Sequence, residues 1–363
     1  MNPSKAGEMM SLLRRTPLYQ AHVDLGAKMV DFAGFEMPIQ YTSIIEEHEA
    51  VRTNVGMFDV SHMGELMIKG SDALEYLEHV CTNGLASLEV GQVRYSFLCY
   101  EHGGVVDDIL VYRFAESTYC LVVNASNIEK DEAWLRQHLI GDVTLENVSD
   151  KTAEIALQGP FAETVLQTLT DADVSSLKFF RFLWAPVADI HCLISRTGYT
   201  GEDGFELYVP SENVSTLWEL LLAKGVTPIG LGARDTLRFE ASLPLYGQEI
   251  SESITPLEAG FKKFVDLDKS FIGQAALLQP RTRKLVGLDI LDRGIARATY
   301  PVFQDGLEIG FVTTGYKLGE RTIALAIVPA SLELGTTIQV AMREKRLNAL
   351  VVSTKFKDKA YKK

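Results

Sequence analysis

The sequence predicts an α+β fold: two related α+β units in succession, closed by a terminal all-β barrel or sandwich. Three observations carry this reading. A βαββ element order between residues 64 and 139 partly recurs between 154 and 223; a glycine-marked hairpin centres the first unit; helical periodicity stops near residue 284. The chain has 363 residues, 47% of them hydrophobic, with 17 Phe, 13 Tyr and 3 Trp. That is enough to bury a sizeable core in about two to three domains. The expected division is a body over residues 1–283 and a β domain over 284–363. The body comprises two interleaved subdomains, with the hairpin unit inserted at about 55–140.

Residues 14–41 mix a helical stretch with the loop Gly34-Phe35-Glu36-Met37-Pro38. A helix is expected over 42–54, capped by Thr42 or Ser43 with Glu46 one turn on. A strand over 64–68 leads into a helix over 71–80, where Ser71 or Asp72 can cap. Residues 93–100 and 105–113 are rich in β-branched and aromatic side chains around the turn Glu101-His102-Gly103-Gly104. A strand over 119–124 and a helix over 127–139 complete the unit. The second unit follows with a strand at 154–158, a helix at 160–169, strands near 188–195 and 205–209, and a helix at 211–223. Beyond 284, short strands alternate with glycine turns, as a small barrel or sandwich requires.

Net charge is −13 and the sequence pI is near 5.1, which disfavours nucleic acid and anionic membranes as partners. An anionic ligand would have to be met by a few local Arg or Lys side chains. Cys81, Cys99, Cys120 and Cys192 lack CxxC spacing, so neither a metal site nor a redox motif is expected and reduced thiols are. No apolar run approaches a bilayer span, and the first dozen residues lack secretory or transit character, so cytoplasmic residence is expected. Gly230-Leu231-Gly232 lacks the third glycine of a dinucleotide fingerprint, and no GxxxxGK, HExxH or GxSxG string occurs.

The hairpin holds the residues with most chemical content. In Val105–Tyr112 each face of the strand is apolar except for one aspartate, Asp107 or Asp108. A buried carboxylate there costs several kcal/mol without partners. If Glu101 pairs with Gly104, Phe97 lies opposite Asp108, and Tyr95, Phe97, Asp108 and Tyr112 share one face. Aromatic walls around one carboxylate suit a flat heteroaromatic ligand. The alternative is that both aspartates end the turn and accept from the glycine amides.

Glu206, between apolar neighbours in Phe205–Val209, could accept paired N–H donors, or could be an exposed edge-strand residue. Arg234 and Arg238, four apart on one helical face, could hold a ligand carboxylate or pair with Asp235 and Glu240. His62 is a candidate acid or base, or a loop-fixing histidine held by its ring hydrogen bonds.

Together these strings resemble the glycine cleavage T-protein family. The resemblance rests on RRTPLY at 14–19, GAKMVDFAG at 26–34, MPIQY at 37–41, FDVSHMGE at 58–65, GGVVDD at 103–108 and LQGP at 157–160. It continues through GYTGEDGFE at 198–206, GLGARDTLR at 230–238, LPLYG at 243–247, FIG at 271–273, GIAR at 294–297 and IALA at 323–326. Their number, order and spacing carry it over nearly the whole chain.

The resemblance implies a cloverleaf-like, three-domain fold: two α+β units of ferredoxin-like type forming a folate-binding body, plus a C-terminal β-barrel. It implies transfer of a methylene carbon from aminomethyl-dihydrolipoyl H-protein to tetrahydrofolate, with release of ammonia. Lipoylated H-protein and the other glycine cleavage components are the implied partners, and no metal is implied. By motif, Asp108 matches the family's catalytic aspartate, Glu206 its pterin-binding glutamate and Arg234 a folate-contacting arginine. Tyr95, Tyr112, Tyr199 and Met63 match pocket residues, and Tyr361 a C-terminal ligand-contacting tyrosine.

Two departures stand out: residues 316–322 form a shorter loop without the family's Ser-Pro step, and Phe35 stands where Trp is common. Related folate-dependent demethylases share such a pocket but take their carbon from another donor. The folate-binding protein of iron–sulfur assembly carries a Cys in a Lys-Gly-Cys-Tyr string, and this chain has Lys269-Ser270-Phe271-Ile272 instead.

Overall fold

The computed structural model describes residues 13–362; the opening segment, with its expected lack of a leader, lies outside them. Helix α1 (Tyr19–Asp24) precedes a two-stranded ribbon, β1 (Lys28–Phe32) and β2 (Phe35–Gln40), and α2 (Ile44–Thr53) follows. Of the two candidate caps for α2, Ser43 is the one used: its hydroxyl accepts from the Glu46 amide at 3.2 Å.

The two α+β units are a topological duplication. The first runs β4 (Gly64–Lys69), α3 (Ala73–Val80), β5 (Val93–Cys99), β6 (Val105–Ala115), β7 (Thr118–Val123), α4 (Ile128–Gln137) and β8 (Thr144–Asn147). The second runs β9 (Thr152–Gln158), α5 (Ala162–Gln167), β10 (Phe182–Val187), β11 (Ile190–Ser195), β12 (Gly204–Pro210), α6 (Val214–Ala223) and β13 (Thr227–Pro228). Their sheets have the orders β5-β6-β7-β4-β8 and β10-β11-β12-β9-β3-β13, identical element for element except that β3 (Gly56–Asp59) is intercalated in the second. Strand β3 pairs with β9 and β13, so residues 56–59 lie in the sheet of the second unit.

Alternation along the strands decides what each sheet face does. On the first sheet, Leu66, Ile68, Ile109, Val111 and Leu121 pack beneath α3 and α4. On the second, Ile155, Leu157, Ile194 and Leu207 pack beneath α5 and α6 around the fully buried Trp218. The opposite faces turn toward one another, where Tyr112, Cys120 and Val122 meet Leu193 and Tyr208. The candidate site lies between these open faces. The four cysteines are free and buried, and burial pushes the Cys81 thiol up to about 12.

Helix α7 (Leu231–Glu240) and α8 (Gln274–Leu277) lead to the barrel, whose strands are β14 (Arg283–Ile290), β15 (Pro301–Gln304), β16 (Leu307–Leu318), β17 (Arg321–Pro329), β18 (Thr337–Met342) and β19 (Lys345–Val352). It closes in the order β14-β17-β16-β15-β18-β19, with β19 returning to β14. Strand β17 is buried on both faces. Ala324 and Ala326 point into the barrel, and Ile323 and Leu325 pack on Phe239 of α7. Residues 316–322, expected as a loop, are mostly strand: Tyr316 pairs with Ile323 and Leu318 with Arg321, leaving a two-residue turn at Gly319-Glu320.

Candidate functional site

Between the open faces of the two sheets lies a cavity of about 390 Å³, completed by α7, the segment 260–264 and the C-terminal tail. Asp108 enters it from β6. Phe97 lies opposite Asp108 and Tyr95 opposite Leu110, the register expected from the sequence, although the turn differs. Tyr100 N–H donates to Gly104 O, so the loop closes one residue earlier than a Glu101–Gly104 pair. A bulge between Leu98 and Cys99 and the facing strand then restores the register. Both glycines are needed there: Gly103 has φ +87°, and a Cβ on Gly104 would sit 1.7 Å from Glu252 O. Neither aspartate accepts from these glycine amides.

The Tyr95 hydroxyl donates to Asp108 Oδ2 and the Asn124 amide to Oδ1, both at 2.9 Å. The carboxyl lines the cavity and is otherwise largely buried. Burial first, and the neighbouring Asp107 second, push its pKa up to about 7, against the lowering effect of the two donors. Asp107 faces the other way and is fully buried, accepting from Asn124 N and Nδ2 at 2.9 Å and from Asn127 Nδ2 at 2.6 Å.

Glu206 faces the cavity from β12, paired in register with Ser195 and Ala156, so it is not on a sheet edge. It accepts from the Thr197 hydroxyl. Burial raises its pKa, moderated by Thr197 and Arg234. Arg234 lines the cavity from α7 with its guanidinium carbon 4.7 Å from the centre of the Tyr199 ring, and it makes no ion pair within 4.0 Å among the described residues. Arg238 does not reach the cavity. It is 1% exposed and bound to Asp235, Glu249 and Gln248, and it donates to the Thr314 hydroxyl of β16 at 3.3 Å, which ties α7 to the barrel. Asp235 also accepts from Tyr316 of β16, and Glu240 pairs with Arg52 at 2.7 Å.

Tyr95, Tyr199, Met63 and Tyr361 line the cavity, and Tyr361 stacks on Phe179 at 4.1 Å. Tyr112 lies behind the wall: its hydroxyl is buried against Ser195 and Tyr208, each at 3.1 Å, and Tyr208 forms the surface in front. His62 is 1% exposed and contacts Phe32 and Phe35 edge-on, with no partner on Nδ1 among the described residues. Edge-on packing against the two rings surrounds it, and burial pushes its pKa down to about 4. Lys263 and Lys359 stand with Arg234 among the lining residues as local cations suited to an anionic ligand.

Four site residues escaped the sequence reading. Asn124 ends β7 and needed the tertiary contact to be seen. Asp131 occupies an inward position of α4 beside Ile128 and Leu135, a carboxylate in the apolar stripe that was there to be noticed. Glu65 and Glu154 point inward from β4 and β9, and burial holds both well above the usual carboxylate range.

Fold and site define a class: a duplicated α+β body with an aromatic-lined cavity edged by carboxyl groups between its sheets, braced by a terminal barrel. Residues 18–269 match the family profile described as GCVT N-terminal domain, and 283–358 that described as glycine cleavage T-protein C-terminal barrel domain. The chain is 51% identical to the aminomethyltransferase of Caldanaerobacter subterraneus subsp. tengcongensis, over 99% of this chain and 100% of that one. It is 53% identical to the aminomethyltransferase of Exiguobacterium sibiricum, over 95% and 97%. The crystal structure of glycine cleavage system aminomethyltransferase T from Bartonella henselae superimposes with a TM-score of 0.90 at 35% identity, over 97% and 100% of the two chains. The chain belongs to the glycine cleavage T-protein family.

Proposed function

We propose that this chain is an aminomethyltransferase that takes the methylene carbon from aminomethyl-dihydrolipoyl H-protein, passes it to tetrahydrofolate and releases ammonia. The observation that carries the reading is the placement of Asp108, a carboxyl with a pKa near 7 at the wall of an aromatic-lined cavity, with Glu206 on the facing sheet. A group poised near neutrality can accept and return a proton, and its anion stabilises a cationic, iminium-like carbon.

In this reading Asp108 is the catalytic residue, oriented by Tyr95 and Asn124 beside the folate nitrogens. Glu206 receives the amino-pyrimidine edge, as a carboxylate receives two parallel N–H donors. Arg234 meets the anionic tail, and Met63, Tyr199 and Tyr361 supply apolar and stacking surface. Tyr112 supports the wall from behind through Tyr208. The partners are lipoylated H-protein and the other glycine cleavage components, and the compartment is the cytoplasm. No described helix is long and apolar enough to cross a membrane.

The test is formation of methylenetetrahydrofolate from aminomethyl-loaded H-protein and tetrahydrofolate, wild type beside Asp108→Asn. Turnover that collapses in the variant while folate binding persists is the expected result. Folate binding without wild-type turnover would move the reading to a demethylase with another donor.

A further inference from the structure

Behind the catalytic hairpin a second carboxyl group is buried without any donor. Asp131 of α4 is fully buried, and neither of its oxygens has a hydrogen-bond partner among protein N–H and O–H groups. Lys130 Nζ stands 3.9 Å from Oδ1, too far for a hydrogen bond, and is committed to Val106 O and to the face of Tyr246 at 4.0 Å. The group that acts on it most, after burial itself, is the adjoining carboxyl of Asp107, which disfavours the Asp131 anion. Asp107 is itself saturated by the three donors of Asn124 and Asn127. Two abutting carboxyl groups, one rich in donors and one devoid of them, are satisfied only if the second carries a proton and gives it to the first.

We infer that Asp131 is a proton-holding positioning residue: its carboxylic O–H donates to Asp107, which with Asn124 fixes the carboxylate of Asp108. The chain of contacts is continuous. The Asn124 side-chain amide bridges Asp107 Oδ1 and Asp108 Oδ1, each at 2.9 Å, so a displaced Asp107 displaces the group that orients Asp108.

The charged and titratable groups facing this cluster are Asp107 and Asp108 from β6, Lys130 from α4 itself, Tyr100 from the hairpin turn, and Tyr246 and Glu252 from the packed loop. Asp131's place in the first turn of α4 favours its anion, as does Lys130. Burial and the adjoining Asp107 outweigh both and push Asp131 up to about 11. The neutral acid also spares the site a third negative charge, leaving Asp108 to titrate near neutrality.

The functional part of this inference rests on the transferase reading, and the protonation does not, so they are tested apart. In full-length protein labelled with 13C-carboxyl aspartate, NMR should show one aspartate that keeps the protonated shift from about pH 5 to about 9. That signal should vanish in Asp131→Asn. If every aspartate other than Asp108 is ionised across that range in the wild type, the inference is overturned, whatever the variants do. In the transfer assay Asp131→Asn, whose amide can donate to Asp107 as the acid does, should keep kcat within about threefold. Asp131→Ala should lower kcat on the order of tenfold, displace the acid limb of the pH profile and leave the folate KM unchanged. An Asn variant as impaired as the Ala variant would also overturn it.

Discussion

The hydroxyl of Tyr95 donates to Asp108 Oδ2 at 2.9 Å across the β5–β6 pair, from the position beside Phe97, the residue that faces Asp108 in register. The bond stabilises the ionised carboxylate and lowers its pKa against the upward push of burial. Tyr95→Phe should therefore move the acid limb of the kcat profile upward from near 7, reducing turnover most at slightly acidic pH. A limb that stays in place or falls would show that the phenol does not act on the ionised form.

Asp108 also links catalysis to stability. Its folded pKa is near 7, above the ordinary value of an unfolded aspartate, so above that ordinary value the native state binds more protons than the unfolded chain. Stability should then fall as pH rises from about 4 to about 7, with a slope of at most about 1.4 kcal/mol per pH unit from this one group. Asp108→Asn removes that slope. Denaturant unfolding should find the inactive variant more stable than wild type at neutral and alkaline pH, and a wild-type advantage there would refute the assignment.

The two arginines of α7 should separate cleanly. Arg234→Ala removes a cavity-lining cation that makes no protein ion pair among the described residues, so it should raise the folate KM by about tenfold or more with little loss of stability. Arg238→Ala leaves Glu249, 2% exposed, without its ion-pair partner, only hydroxyl and amide donors remaining, and should cost roughly 3–5 kcal/mol of stability. Thermal melts and folate titrations of both variants check the contrast.

Gly104→Ala brings a methyl group to within 1.7 Å of the backbone oxygen of Glu252. The hairpin must then part from the 251–254 loop, which it holds through the bond from Val105 N–H to Ser251 O at 2.8 Å. The expected cost is roughly 1–3 kcal/mol, occasionally more, together with a shift of Asp108. A variant with wild-type melting and turnover would show that the contact is not required.

Apart from the β1–β2 ribbon and residues 316–322, the sequence by itself determined most of the element types, the division into two α+β units and a barrel, and the placing of Asp108 beside Tyr95 and opposite Phe97. Those features depend on local periodicity, and the hairpin register came out right because an early closure at Gly104 is compensated by a bulge two residues later. Motif resemblance named Glu206 and Arg234, where residue chemistry alone left both open. Only the tertiary structure decided which of the two arginines faces the cavity: helical spacing puts Arg234 and Arg238 on one side of α7, and the docking of the barrel claims Arg238. It also decided that Tyr112 stands behind Tyr208, since strand alternation gives a face but not what packs against it. Asn124 became visible for the same reason, and so did the surroundings of Asp131, although its place in the apolar stripe of α4 is legible in the sequence. A polar side chain acquires its role from the partner that long-range packing brings to it, and that partner is not written in its neighbours along the chain.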